Sequence, residues 1–178
     1  DALVRGLALV PFASDVPLNA TSDFTAVVSA AFFSFGGVPP RFPEHLVLGE
    51  TLHPVKVNCS TLQLWLTAGN VSHPTRRTIA VPAVVAGTFR GRLRRPDPAV
   101  DPGVGSVVAN AANTTQTATV TLGSSVAGAD SLVLFDGSRA VIRRWGGGQA
   151  LPTSLELHLA PFQVLFLLAN SSRAAAVQ

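Results

Sequence analysis

The side chains that could bind a metal ion or transfer protons are scattered along this sequence. Histidines stand at positions 45, 53, 73 and 158 without the spacing of a metal site, and Cys59 is the sole cysteine. Most of the carboxylates lie in segments with the composition of turns. Neither a nucleophile elbow nor a phosphate-binding loop occurs. We therefore expect no catalytic residue, no metal and no cofactor, and a chain that is not an enzyme.

Arginine clustering is the main charge feature of the sequence. Lys56 is the sole lysine, and the net charge is only +3. Guanidinium groups pair bidentately with phosphate, so a basic rim could contact an RNA backbone without recognising bases. The same side chains could instead contact a neighbouring subunit, or be solvated loop arginines paired with Asp97 or Asp101. The candidates for RNA-backbone or inter-subunit contacts are Arg76, Arg77, Arg90, Arg92, Arg94, Arg95, Arg143 and Arg144.

The asparagines and the cysteine point to different cellular compartments. Five of the six asparagines begin an Asn-x-Ser/Thr sequon, which is typical of a secreted, N-glycosylated chain. Such triplets also arise in a threonine-rich β protein simply because asparagine is common in turns and Ser or Thr is common in the turns and strands around them. A lone cysteine fits a reducing compartment better than a secreted one. The sequons begin at Asn19, Asn58, Asn70, Asn113 and Asn170.

Many short segments alternate apolar and polar residues, and helical periodicity is nearly absent. Segments rich in proline and glycine separate them, so the pattern predicts an all-β sandwich, jelly roll or barrel. No apolar run reaches the roughly 18 residues that span a bilayer. We expect residues 1–178 to form one domain. The expected strands are Leu7–Phe12, Phe24–Phe35, Leu46–Leu52, Thr61–Thr67, Thr78–Ala86, Thr117–Leu122, Ser131–Phe135, Ala140–Trp145, Ser154–Leu159 and Gln163–Leu168.

Two of these segments predict strands with one buried and one exposed face. In Ser154–Leu159 three leucines alternate with polar residues, and in Thr117–Leu122 apolar residues alternate with three threonines. Asp136-Gly137 predicts a hairpin turn between two strands. The stretch Pro96–Gly105 predicts a long loop because it contains three prolines and two glycines.

Several of these signatures, taken in order, resemble the coat proteins of tymoviruses. They are Leu9-Val10-Pro11-Phe12, then Thr51-Leu52-His53-Pro54, then the segment Leu62–Asn70, and finally Pro152-Thr153 running to Leu159. The resemblance implies a single jelly-roll β-sandwich of two antiparallel sheets. It also implies a structural subunit that assembles with copies of itself into an icosahedral shell around single-stranded RNA. The protein would then be found in a virion assembled in the host cytoplasm, with no membrane span.

A second resemblance points to a different class of protein. The segment Leu155–Leu165, an apolar strand followed by a Pro-aromatic corner and a second apolar strand, resembles the closing strands of β-sandwich accessory domains in secreted glycosidases. Asn113–Leu122 is also similar to a strand of those domains. This resemblance implies a non-catalytic, N-glycosylated module that is secreted or lumenal. A receptor-binding surface domain is a further alternative.

Overall fold

The computed structural model describes residues 42–46, 48–68, 75–97, 100–123 and 128–171, and antiparallel strands dominate them. The expected strands Leu7–Phe12 and Phe24–Phe35 lie outside these residues. Within the described ranges, one short helix precedes eleven strands. They are α1 (Pro43–Leu46), β1 (Glu50–Leu52), β2 (Lys56–Asn58), β3 (Thr61–Ala68), β4 (Thr75–Pro82), β5 (Val84–Arg90), β6 (Val104–Asn110), β7 (Gln116–Thr121), β8 (Ser131–Phe135), β9 (Val141–Gly146), β10 (Ser154–Leu159) and β11 (Val164–Asn170).

These strands form three antiparallel sheets. A six-stranded sheet has the order β1-β5-β6-β11-β8-β9, a three-stranded sheet has the order β10-β7-β2, and β3 pairs with β4. The prediction of an all-β chain is therefore confirmed. The main hydrophobic core contains residues of both larger sheets, which gives the chain a sandwich-like architecture.

Strands β7 and β10 contribute their apolar faces to this main core. Leu155, Leu157 and Leu159 are buried while the residues between them are exposed. Ala118 and Val120 are buried opposite them across the β7–β10 pair. Burying a leucine or valine side chain fully contributes roughly 1.5–3 kcal/mol. The predicted alternation of both strands is confirmed.

Strand β11 is buried on both faces, because the six-stranded sheet is covered on each side. Leu165 and Leu167 point into the main core. Val164 and Phe166 belong to a second apolar cluster, which also contains Phe42 and Leu46 from the region of α1. The Phe42 and Phe166 rings stack with their centroids 3.9 Å apart. The result is a continuous apolar strand of the kind found when both faces of a sheet are covered.

The prediction of one strand over Leu46–Leu52 was wrong. Pro43 opens a helical turn, and Leu46 is completely buried in the second cluster. The chain then turns at Gly49, where a Cβ atom would lie 2.2 Å from the backbone oxygen of His45. Only Glu50–Leu52 is extended, and it ends before His53-Pro54 as expected.

Other strand boundaries differ because long-range contacts set them. The expected strand Thr78–Ala86 is divided at Ala83, whose N–H donates to Ser60 O at 2.9 Å. Its two parts enter different sheets as β4 and β5. Strand β6 starts inside the loop predicted for Pro96–Gly105, and it was missed because Gly105, Ser106 and Asn110 interrupt its apolar pattern although all three are buried. The hairpin at Asp136-Gly137 is confirmed by the β8–β9 pair.

Two neighbouring connections carry the chain between the larger sheets. Residues 111–115 lead from β6 to β7, and residues 160–163 lead from β10 back to β11. Strand β6 pairs with β11 in one sheet, while β7 pairs with β10 in the other. The two chain segments therefore stay paired as both cross from sheet to sheet.

The buried Asn110 joins these two connections. Its Nδ2 donates to the carbonyl oxygens of Thr114 and Ala160, each at 2.8 Å. Its Oδ1 accepts the Ala112 N–H at 2.9 Å, and its own backbone N–H donates to Gln163 O at 2.9 Å. Because buried polar groups are costly to leave without partners, this one side chain fixes the relative position of both crossings.

Replacing Asn110 with alanine should destabilise the fold by about 1–3 kcal/mol, since it leaves the buried Ala112 N–H unpaired and removes the donor to the part-buried carbonyls of Thr114 and Ala160. Urea unfolding with an unchanged m value measures this loss directly. The matched control is Asn113→Ala in the same connection, because Asn113 is exposed. Both variants are made in bacteria. Equal midpoints for the two variants would contradict the assignment.

Candidate functional site

An open groove runs along one flank of the sandwich, between β9 and β10. Among the described strands, each of these two is the last in its sheet, so the two sheets do not close against each other there. The groove has a volume of about 620 Å³. We call it the flank groove. Its lining includes Ile142, Arg143, Trp145, Glu156, His158 and Gln163.

Strand β9 forms the apolar and basic wall of the flank groove. Arg143 and Trp145 are two residues apart and therefore lie on one face of the strand. The Arg143 guanidinium carbon lies 4.9 Å from the centroid of the Trp145 ring, a cation–π distance worth about 0.5–1 kcal/mol at an exposed site. Val141 and Ile142 are 41% and 52% exposed, which is unusual for β-branched residues next to a core. A register shift near Leu134 and Phe135 interrupts the regular pairing of β9 with β8.

Strand β10 forms the other wall, with Leu155 and Leu157 on its inner face and Glu156 and His158 on its outer face. His158 Nε2 lies 3.5 Å from Glu156 Oε1, and His158 Nδ1 lies 3.1 Å from Thr117 Oγ1 on β7. Both side chains of the ion pair are about two-thirds exposed or more, so such a pair contributes only about 0–1 kcal/mol. The groove thus offers an aromatic ring, a guanidinium group and apolar side chains to a polypeptide segment.

This groove was not identified from the sequence. The exposed face of β10 with Glu156 and His158 was expected, but the neighbouring wall comes from β9 in the other sheet. The signal in the sequence was the pair Arg143 and Trp145, which share one face of an expected strand. Strand pairing alone could not show that this face lies beside β10.

The arginines between positions 90 and 95 lie at the end of β5 and in the loop that follows it. Arg90 ends β5, and Arg92 forms a 2.8 Å ion pair with Glu50 rather than with an aspartate of the loop. Arg94 and Arg95 are exposed beside a shallow depression. All four side chains lie at the surface of the β1–β5 edge.

The other candidate arginines lie elsewhere. Arg143 and Arg144 are on β9 at the opposite edge of the six-stranded sheet. Four strand spacings of about 4.8 Å separate β5 from β9, or about 19 Å. The backbones of Arg76 and Arg77 are in β4, paired with Thr67 and Leu66 in the two-stranded sheet. The clusters seen in the sequence therefore lie on different strands and are not shown to form one continuous rim.

The histidines occupy unrelated positions. His53 is exposed, with Nδ1 3.3 Å from Pro54 O, and His158 lies on β10. His73 lies outside the described residues. No three histidine, cysteine or carboxylate side chains come together as a metal site in the part of the chain that the structure describes. Across the same ranges, no helix is long and apolar enough to span a membrane.

His45 is the buried histidine of the described ranges, held at the edge of the second apolar cluster. Its ring lies against Phe166 with centroids 5.4 Å apart. The ring nitrogens face the carbonyl groups of Pro102 and Gly103 without hydrogen bonds of normal geometry. Burial lowers the pKa of His45; the carboxylates of Glu44 and Asp101 and these carbonyls oppose the shift without reversing it. His45 is therefore neutral in the folded protein at pH 7.

The fold should lose stability as the pH falls below about 6.5, because the unfolded chain then binds a proton that buried His45 resists. The expected slope is up to about 1.4 kcal/mol per pH unit, down to the lowered pKa of the folded state. His45→Gln should flatten this dependence in urea unfolding between pH 7 and 5. Asn113→Ala, an exposed variant that removes no titratable group, should leave it unchanged. Equal slopes in wild type and His45→Gln would contradict the expectation.

Comparisons with known proteins found weak structural similarity and no sequence match. No protein-family profile and no curated protein sequence matches the chain. Among solved structures, the chain is similar to the crystal structure of a putative alpha-N-acetylgalactosaminidase from Bacillus halodurans C-125. The alignment has 15% sequence identity, covers 62% of this chain and 20% of that protein, and has a TM-score of 0.34. A similarity this low transfers neither a fold nor a function.

Proposed function

We propose that this chain is a non-catalytic β-sandwich module of the accessory type found in secreted glycosidases. The observation that carries the proposal is the corner at Pro161-Phe162. This corner takes the chain from β10, at an edge of one sheet, into β11, in the interior of the other. These are the residues on which the resemblance to glycosidase accessory domains depends.

The corner is built by specific contacts rather than by a flexible linker. Phe162 has a φ of 57°, which is uncommon for a large side chain. Gln163 Oε1 accepts the Ala160 N–H at 2.9 Å, and the Phe162 N–H donates to Ala112 O at 3.2 Å. Asn110 then links the corner to the β6–β7 connection. The closing strand pair is thus an integral part of the sandwich, as the accessory-module proposal requires.

The flank groove is the surface through which such a module would contact the polypeptide that carries it. Ile142 is exposed there, and Arg143 adds positive charge to the same wall. A neighbouring segment with acidic and apolar side chains would be complementary to that surface. The proposed role of the module is therefore structural, with no bond-making step of its own.

A viral coat subunit is the second candidate. The double pairing of β6–β7 with β10–β11 favours it, because a jelly roll is built from two chain segments that remain paired while they cross between sheets. The segment Leu46–Asn70 supports it less, since Leu46 is helical and β1 contains only three residues. A jelly-roll shell subunit also requires self-assembly, which an accessory module does not.

Multi-angle light scattering distinguishes the two candidates. An accessory module should elute as a monomer of 18.4 kDa, without RNA and without activity on chromogenic glycosides. Particles that contain RNA would overturn the proposal and support the coat subunit. In that case the double variant Arg94→Ala/Arg95→Ala should reduce the RNA content of the particles. The double variant Arg143→Ala/Arg144→Ala, from the opposite edge of the six-stranded sheet, is the matched comparison. Glycoside hydrolysis by the purified chain would also overturn the proposal.

A further inference from the structure

The sequons are too frequent to follow from composition alone. Serine and threonine account for 28 of the 178 residues, so roughly one asparagine in six would begin a sequon by chance. Five of the six do so. A threonine-rich β protein does not by itself produce this excess, which requires another explanation.

Two of the described asparagines that begin sequons differ in structural role from Asn110. Asn110, which does not begin one, is buried, and its amide is fully used in hydrogen bonds. Asn58 and Asn113, which begin sequons, are exposed. In the described part of the chain their side-chain amides make no hydrogen bond. They therefore cap no turn. The alternative that these two triplets occur only because asparagine stabilises turns lacks a structural basis.

Both exposed sequons are placed where a large substituent can project into solvent. Asn113 lies in the connection between β6 and β7, and Thr115, which completes its sequon, is also exposed. Asn58 ends β2, the edge strand of the three-stranded sheet, and it faces away from the core that Val57 contacts. A glycan at either position would displace no buried side chain.

The single cysteine does not contradict an oxidising compartment. Cys59 is half-buried between β2 and β3. Its Sγ lies 3.4 Å from the Val84 nitrogen and 3.7 Å from the Val84 oxygen. A thiol in contact with the backbone of β5 is shielded from pairing with a second chain.

We propose that Asn113 carries an N-linked oligosaccharide and that Asn58 carries a second one. The donor is a lipid-pyrophosphate-linked oligosaccharide, used by a membrane-bound transferase. The Asn113 Nδ2 forms a bond to the anomeric carbon of the first sugar and loses one proton. The bond from that carbon to the phosphate oxygen breaks, and the lipid pyrophosphate leaves with the electron pair.

Asn170 should remain unmodified although it also begins a sequon. It ends β11, and its Oδ1 is enclosed by the protein. Gly103 is packed so closely that a Cβ atom there would lie 2.3 Å from this oxygen. The proposal rests on the secreted character of the proposed module, while exposure selects which sequons are used.

The direct test is mass spectrometry of the protein from its natural source. Treatment with peptide-N-glycosidase in heavy-oxygen water converts each glycosylated asparagine to a labelled aspartate. We expect the label at Asn113 and at Asn58 and an unlabelled Asn170. An unlabelled Asn113, or a label on Asn170 instead of the two exposed sites, would overturn the proposal.

Matched variants secreted from eukaryotic cells test each site separately. Thr115→Ala should remove one glycan, whereas Thr114→Ala, at the middle position of the same sequon, should retain it. For Asn58, Ser60→Ala should remove one glycan and Ser60→Thr should retain it. Loss of a glycan in both members of a pair would indicate misfolding, and the urea midpoint of each variant distinguishes that case. A folded Thr115→Ala with unchanged glycan mass would overturn the assignment to Asn113.

Discussion

The arrangement of the described sheets depends on the buried amide of Asn110. A side-chain amide has two N–H donors and an oxygen acceptor. In Asn110 both the donor nitrogen and the acceptor oxygen form hydrogen bonds, and these bonds link two chain crossings that are far apart in sequence. No apolar residue could take this place without leaving carbonyl and N–H groups unpaired. The sandwich is thus held by apolar burial, but the path of the chain between its sheets is specified by hydrogen bonds.

The path of the chain between the sheets also determines which strand edges border the flank groove. Because β6–β7 and β10–β11 cross together, β10 becomes the edge of the three-stranded sheet, and β8–β9 extends the other sheet beyond β11. The flank groove lies between the edges that result. A surface with Trp145, Arg143 and exposed β-branched residues therefore follows from the topology, and the proposed structural role depends on it.

Local patterns predicted the half-exposed strands β7 and β10 and also the apolar strands β8 and β11. Alternation in β7 and β10 was informative because one face meets solvent, and Asp136-Gly137 marked a local turn. Strand β6 and the break at Ala83 were missed because their causes are contacts across the sheet, such as Phe166 against Gly105. The arginine clusters were likewise contiguous in sequence only. Strand order, which places β5 and β9 four positions apart, was not accessible from local patterns.

Amide hydrogen exchange under native conditions tests the role of Asn110 most directly. The N–H groups of Asn110 and Ala112 donate to Gln163 O and Asn110 Oδ1 respectively. If the two crossings form one locked unit, both amides should exchange only through global unfolding. Their protection should then equal that of the Phe166 amide in the central strand β11. Exchange of Ala112 by local opening, as fast as that of the exposed β9 edge, would show that the crossings move independently and would contradict this role for Asn110.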